Sequence, residues 1–198
     1  ELWGASLGHF SVNYGFYFVV SWLPIYLVKV QGFSMSKMAG IGALIYLSYA
    51  AGALLGGHLT DRWIAAGATP NRARKTLMVV CHAFAAASFA ACAVGSAPVA
   101  IASLFVAGIA FGATSPNIFA IGQTLAGPVA AGKWIGVQNC FGNIAGIVGP
   151  IITGFLVDST GGFAVAFAVA AGVALLGMAG WGLIIPRIAM VGWSRPAA

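Results

Sequence analysis

The stretch Gly56 to Lys75, GGHLTDRWIAAGATPNRARK, is the one long polar interruption in a chain that is otherwise almost wholly apolar. It carries Arg62, Arg72, Arg74 and Lys75, four of the nine Lys and Arg residues. Cationic loops of this length stay on the cytoplasmic side of a bilayer, so the stretch orients the segments it joins. Of the 198 residues, 61% are hydrophobic and 6% charged, whereas a soluble domain is about a quarter charged. Mean hydropathy is +0.98. The sequence therefore reads as an all-α, polytopic membrane protein in contact with the lipid bilayer. A net charge of +6 does not indicate a nucleic-acid partner, because the cations sit in short links between apolar runs rather than along one face.

Working outward from this stretch gives six apolar segments, each near the roughly 20 residues that cross a hydrocarbon core. They run at about Leu2 to Leu27, Lys37 to Thr60, Thr76 to Val94, Pro98 to Leu125, Lys133 to Val157 and Phe163 to Ile185, followed by a tail at 186–198. The second and fourth links and the tail hold Arg62, Arg72, Arg74, Lys75, Lys133, Arg187 and Arg195, while the opposite side has only Lys29 and Lys37. Seven cations against two place both chain ends in the cytoplasm, and an even number of spans requires them to share a side. The first residues already belong to a span and show neither an initiator Met nor a signal-peptide pattern, so the chain is expected to be part of a longer protein. Cys81, Cys92 and Cys140 have no metal or redox spacing and fall inside apolar runs; no metal and no cofactor is expected.

No span carries an unambiguous central charge, so the uncharged polar residues hold the information. Ser6, His9, Asn13, Tyr17 and Ser21 follow one another at helical spacing and form a stripe on one face of the first span. Such a stripe either glues helices together or lines a water-filled path. Depth favours the path, since Asn13 and Tyr17 lie within roughly 5 Å of the span's midpoint at 1.5 Å per residue. Tyr46 and Tyr49 take the same depth in the second span, Ser115 and Asn117 in the fourth, and Asn139 and Asn143 in the fifth as an i, i+4 pair. The third and sixth spans are plainer and read as peripheral. A common cavity lined by Asn13, Tyr17, Tyr49, Ser115, Asn139 and Asn143 is the expectation, with Ser88 of the third span outside it.

Glycine pairs at Gly52 and Gly56, Gly108 and Gly112, and Gly142 and Gly146 mark close helix contacts. Pro116 and Pro150 remove backbone donors within spans. Gly52 to Asp61, GALLGGHLTD, repeats as Gly149 to Asp158, GPIITGFLVD. The first copy ends a span running inward and the second ends a span running outward, as three-plus-three inverted repeats require. Asp61 and Asp158 stand at helix C-termini, where the macrodipole disfavours negative charge, so each calls for a partner. For Asp61 the candidates are Arg62, Arg74, Lys75 or the N-terminus of a neighbouring helix; a cytoplasmic latch that breaks during transport is the functional form, and a solvated loop acid the plain one. His9 and His58 read as structural histidines rather than proton carriers.

GGHLTDRW followed by RARK resembles the loop motif of the major facilitator superfamily in its second-half copy. The whole chain is similar to the C-terminal six helices of that fold. More narrowly, NYGFYFVVSWLPIYL at Asn13 to Leu27 and QTLAGPVAAGKWIGVQNCFGNIAGIVGP at Gln123 to Pro150 resemble the anion:cation symporter branch. The resemblance implies a secondary carrier that takes a small organic anion, such as a sugar acid, together with a coupling proton. It also implies a partner six-helix N-terminal half that supplies the proton-coupling carboxylate and the substrate-binding arginine. Asn139 matches the polar position by which relatives contact substrate hydroxyls, and Ser115 lies in the corresponding part of the fourth span. A bacterial plasma membrane is the expected location.

Three other classes compete. Gly4 to Gly8, GASLG, matches the GxSxG of serine hydrolases with His9 beside it, but that motif works on a strained strand-to-helix turn and Ser6 sits in a helical run. A channel would need a constriction or selectivity motif, which the sequence lacks. A truncated product without transport of its own remains the third.

Overall fold

The computed structural model describes residues 1–193; residues 194–198, with Arg195 and the end of the expected tail, lie outside the described residues. Among the described residues every regular element is helical. α1 spans Leu2–Ile25 and runs into a wider π-helical turn, Tyr26–Val30. α2 spans Met35–Ala65, α3 Pro70–Val94, α4 Ala97–Asn143, α5 Ala145–Thr160 and α6 Ala164–Ala179, the last followed by a second π-helical turn, Gly180–Ile184. Five helical stretches among the described residues are long and apolar enough to cross a membrane, the longest being 64 residues from Ala97 to Thr160.

The polar stretch is not a loop. α2 continues to Ala65 and α3 begins at Pro70, so only 66–69 link them. The expected boundaries at Thr60 and Thr76 mark where hydropathy changes, not where helical hydrogen bonding stops. Thr69 caps α3 by accepting a hydrogen bond from the Arg72 N–H at 3.2 Å, and Pro70 occupies the first turn, where its missing donor costs nothing. Ser34 does the same for α2 through Lys37 N–H at 3.3 Å.

The link expected at 126–132 is also absent as a loop. α4 is interrupted at a single residue, Gly127, with φ +65° and ψ 178°. That region is essentially closed to residues with a Cβ. Pro128 follows at once and restarts the helix. The interruption turns the chain back on itself: Gln138 Nε2 donates to Ile118 O at 3.4 Å, although 20 residues of straight helix would hold them about 30 Å apart. Gln138 also accepts from Trp134 Nε1 at 3.0 Å. The arms before and after Gly127 therefore run side by side. The second arm ends at Asn143, and Ile144 breaks it from α5. Pro150 lies one turn into α5, where its ring and missing N–H disfavour an unbroken helix.

α1 and α4 form the middle of the bundle. α2 packs along α4, α3 and α6 pack together on α4 and α1, and α5 leans on α1. The α2–α4 seam depends on absent side chains. A Cβ at Gly52 would fall on the Ile109 carbonyl, one at Gly56 on the Ala113 backbone, and one at Gly112 on the Tyr49 carbonyl. The paired glycines thus allow backbone-to-backbone contact. The α1–α3–α4–α6 side is filled instead by aromatic rings. Phe18 lies 5.1 Å from Phe167 and 5.9 Å from Phe89, and Phe89 lies 6.0 Å from Phe111. Leu47, Leu54, Ile151 and Phe155 are exposed on the outer surface, as lipid contact permits.

Beyond Ile184 the chain crosses the start of α3 and the break in α4. Ile188 N–H donates to Asn71 Oδ1 at 2.7 Å, Val191 N–H to Leu125 O at 2.9 Å, and Trp193 Nε1 to Ala126 O at 2.8 Å. Leu125 and Ala126 lie at the end of the first arm of α4, where the break at Gly127 removes the intrahelical donors that would follow, and their carbonyls are satisfied in this way. The Met190 thioether lies where a Cβ at Gly127 would sit.

Candidate functional site

The stripe on α1 divides into two parts. Ser6 and His9 are buried in helix packing, with the His9 ring against Gly142 and 5.7 Å edge-on to Phe119. Both side chains are almost fully buried, so in that half the stripe serves helix contact. Asn13, Tyr17 and Ser21, about one, two and three turns further on, are only half-buried. Tyr17 OH donates to Asn143 Oδ1 at 3.1 Å, and Asn143 Nδ2 donates to Asn139 O at 2.9 Å and to Asn139 Oδ1 at 3.0 Å. This string joins α1 to the second arm of α4 and is exposed along its length. Gly146 makes room for it, since a Cβ there would press on the Tyr17 ring.

Tyr49 reaches the string through an aromatic residue that polarity does not flag. Phe16 lies 5.5 Å from the ring of Tyr49 and 5.5 Å from that of Tyr17, edge-on to the latter. The Tyr49 phenol neighbours Ser115. Asn117 is turned inward instead, 2% exposed, with Nδ2 donating to Ala113 O at 3.4 Å. Five of the six expected residues therefore form one connected line, Ser115, Tyr49, Tyr17, Asn143 and Asn139, with Asn13 one helical turn from Tyr17 on the same face. The line stands on an open face of the bundle rather than in a closed cavity. A narrow apolar crevice of about 20 Å3 lies beside Tyr49, lined by Gly15, Phe16, Ile45, Leu104 and Phe111 among others.

Sequence reasoning missed one member of this arrangement and one buried residue behind it. Phe16 carries no polar mark, and Gln138 is 1% exposed beside the flagged Asn139. Its i, i+4 spacing from Trp134 was the available sign of a hydrogen-bonded pair.

At the α2–α3 turn the four expected gating residues separate. Arg74 Nη2 meets Asp61 Oδ1 at 3.9 Å, with the Asp61 side chain 74% exposed. Lys75 turns away, donating from Nζ to Ile185 O at 2.7 Å and Pro186 O at 3.2 Å. Arg62 is exposed and meets no carboxylate among the described residues. Asp158 likewise has no ion pair among the described residues, so the repeat copies differ at this point. No His, Cys, Asp or Glu cluster among the described residues is arranged to hold a metal.

Long apolar helices that leave a line of uncharged hydrogen-bonding side chains on one open face have the build of a membrane carrier. The family profile of the Major Facilitator Superfamily matches residues 7–193, and the chain belongs to that superfamily. The family is one of transporters, not enzymes. Among curated relatives, the chain is 31% identical over 163 residues to the probable galactarate/D-glucarate transporter GudP of Bacillus subtilis (strain 168), covering 81% of this chain and 35% of the relative. It is 30% identical over 177 residues to the hexuronate transporter of the same organism, covering 86% and 41%. It is 28% identical to the probable L-galactonate transporter of Escherichia coli (strain K12), covering 83% and 37%. The chain thus spans well under half the length of the relatives it matches. Among solved structures, the inward-open xylose transporter XylE from E. coli superposes with a TM-score of 0.70 at 18% identity, covering 94% of this chain and 47% of that one. A mutant of the peptide transporter POT bound to alafosfalin gives 0.78 at 16%, covering 91% and 37%. At these identities the structural likeness speaks for the fold alone. The resemblance carried by Asn13–Leu27 and Gln123–Pro150 is borne out by the sugar-acid carriers among the relatives.

Proposed function

We propose that the chain is the C-terminal six-pass bundle of a secondary carrier that moves a sugar acid or related organic anion together with a proton by alternating access. The observation that carries this reading is the exposed string Tyr17–Asn143–Asn139, continued through Phe16 to Tyr49 and Ser115. Its donors and acceptors match a polyhydroxylated substrate, and the relatives' names specify galactarate, glucarate, hexuronate and galactonate transport. In this reading the open face receives a second six-helix bundle, which brings the groups that bind the carboxylate and the proton. The reversal at Gly127 divides the longest helical stretch into two passes, and the two GxxxxGxxxD segments end the second span of each half of a three-plus-three inverted repeat. Asp61 with Arg74 acts as a latch at the inner end of α2.

Uptake of galactarate, glucarate and a hexuronate, measured at matched membrane abundance, tests the site. Asn139→Ala and Asn143→Ala each remove a substrate hydrogen bond worth about 0.5–1.5 kcal/mol, which weakens apparent affinity roughly two- to tenfold. Ser88→Ala in α3 changes neither affinity nor melting temperature. Loss of stability with wild-type affinity in both asparagine variants would assign these residues to helix contact instead. Orientation has its own test. In a background with Cys81, Cys92 and Cys140 replaced, cysteine at Ala68 is labelled from the cytoplasm and cysteine at Ser96 from outside. Labelling of both from one side rejects the six-pass topology.

A further inference from the structure

Next to the α2–α3 turn these two helices enclose a groove of about 380 Å3 lined by Leu59, Thr60, Trp63, Leu77, Val80 and Cys81, among others. Its walls are apolar apart from Thr60 and Thr76, and open outward: Leu59 is 57% and Val80 44% exposed. The Thr60 hydroxyl is spent on its own helix, at 2.9 Å from the carbonyls of both Gly56 and Gly57, so it offers nothing to a polar occupant. At the mouth nearest the turn the chemistry reverses. The Arg72 guanidinium stands 6.0 Å from the centre of the Trp63 ring, and Arg62 is exposed beside Trp63 in sequence. Among the described residues neither arginine meets a carboxylate. The neighbouring acid, Asp61, pairs with Arg74 and points about 160° round α2 from Trp63 at 3.6 residues per turn.

We propose that this groove binds one anionic phospholipid from the leaflet that the α2–α3 turn reaches. Its acyl chain lies along Leu59, Leu77 and Val80, and its phosphate sits between Arg72 and Arg62, with the Trp63 indole at the boundary between the two. Each part of the site matches one part of that ligand. An apolar groove in a membrane-spanning bundle takes an acyl chain, a tryptophan belongs at headgroup depth, and two cations without a protein carboxylate attract an anionic headgroup. A zwitterionic lipid brings its own ammonium to the phosphate and gains less from the arginines. Inorganic phosphate lacks the chain that the groove accommodates. The proposal is independent of substrate, coupling ion and direction of transport.

The test uses the protein as it occurs in its own membrane, purified in detergent, with bound lipids counted by native mass spectrometry. Dioleoylphosphatidylglycerol is expected to bind more tightly than dioleoylphosphatidylcholine. Arg72→Gln and Arg62→Gln should each weaken phosphatidylglycerol binding about fivefold while leaving phosphatidylcholine unchanged. Val80→Trp, which fills the groove, should weaken both lipids. Melting temperature of each variant, measured in parallel, identifies any that has lost its fold; Arg72→Lys, which keeps the charge, should then retain the preference. Equal binding of the two lipids by the wild-type protein would overturn the proposal, as would unchanged phosphatidylglycerol binding in the two glutamine variants. Full displacement by millimolar inorganic phosphate would overturn it in favour of a free-anion site.

Discussion

Replacing Gly127 with alanine is expected to destabilise the bundle by about 1–3 kcal/mol, the cost of forcing a residue with a Cβ into a glycine-only conformation. The backbone there, at φ +65° and ψ 178°, is what turns the second arm of α4 back along the first. Moving to a permitted φ would swing the second arm and break the contact between Gln138 and Ile118. The Met190 thioether at the same spot is flexible and can move aside, so backbone strain dominates the loss. Gly136 supplies a control of opposite sign. It is exposed, helical and has open space where a Cβ would stand, so Gly136→Ala should stabilise by about 0.5–1 kcal/mol. Melting temperatures of the two variants in the same detergent decide the matter. An unchanged value for Gly127→Ala would mean that the reversal does not depend on this residue.

Lys75→Met is expected to cost about 2 kcal/mol, the second large effect. Among the described residues, Lys75 is the one member of the expected gating set that makes short side-chain hydrogen bonds, donating to two successive carbonyls where the final helix ends. Charge-assisted bonds of this kind contribute about 1.5–3 kcal/mol each, less whatever water restores to the carbonyls after substitution. The Asp61–Arg74 pair behaves differently. At 3.9 Å, with Asp61 74% exposed, its worth is screened to below about 1 kcal/mol. Asp61→Asn and Arg74→Gln should therefore leave melting temperature nearly unchanged while slowing uptake, because a latch acts on the exchange between states. A melting loss for Asp61→Asn equal to that for Lys75→Met would reverse this division of labour. Unchanged uptake in both latch variants would leave Asp61 as a surface acid.

That the chain is a succession of long apolar helices was legible because hydropathy and bilayer thickness impose the same length scale; the division of 97–160 into two of the six expected segments was not, since helical hydrogen bonding runs through most of it. The ends of helices were not, because charge marks where the membrane stops and not where the helix stops. Arg62 and Arg72 to Lys75 all lie within α2 and α3 rather than in the link between them. The Thr69–Pro70 pair announces a helix start in the middle of what charge alone reads as a loop. At Gly127–Pro128 the dipeptide signals a turn, yet nothing local tells that one residue suffices. Asn139 and Asn143 were readable as a pair because i, i+4 spacing puts them on one face. Asn117 shows the limit of depth as a criterion. Two positions from Ser115, about 200° round the helix, it lies at the same level of the membrane but faces the interior.

The strap across α4 also places a time order on assembly. The carbonyls of Leu125 and Ala126 are made long before their donors, and Trp193 is 67 residues further along the chain than Ala126. At about 5–20 residues per second, the ribosome needs roughly 3–13 s to cover that distance. During this interval the open end of the helical hairpin must be held by water at the membrane surface. The last described residues thus complete a hairpin begun in the middle of the chain, and nascent chains halted before Val191 should present that hairpin in an unfinished state.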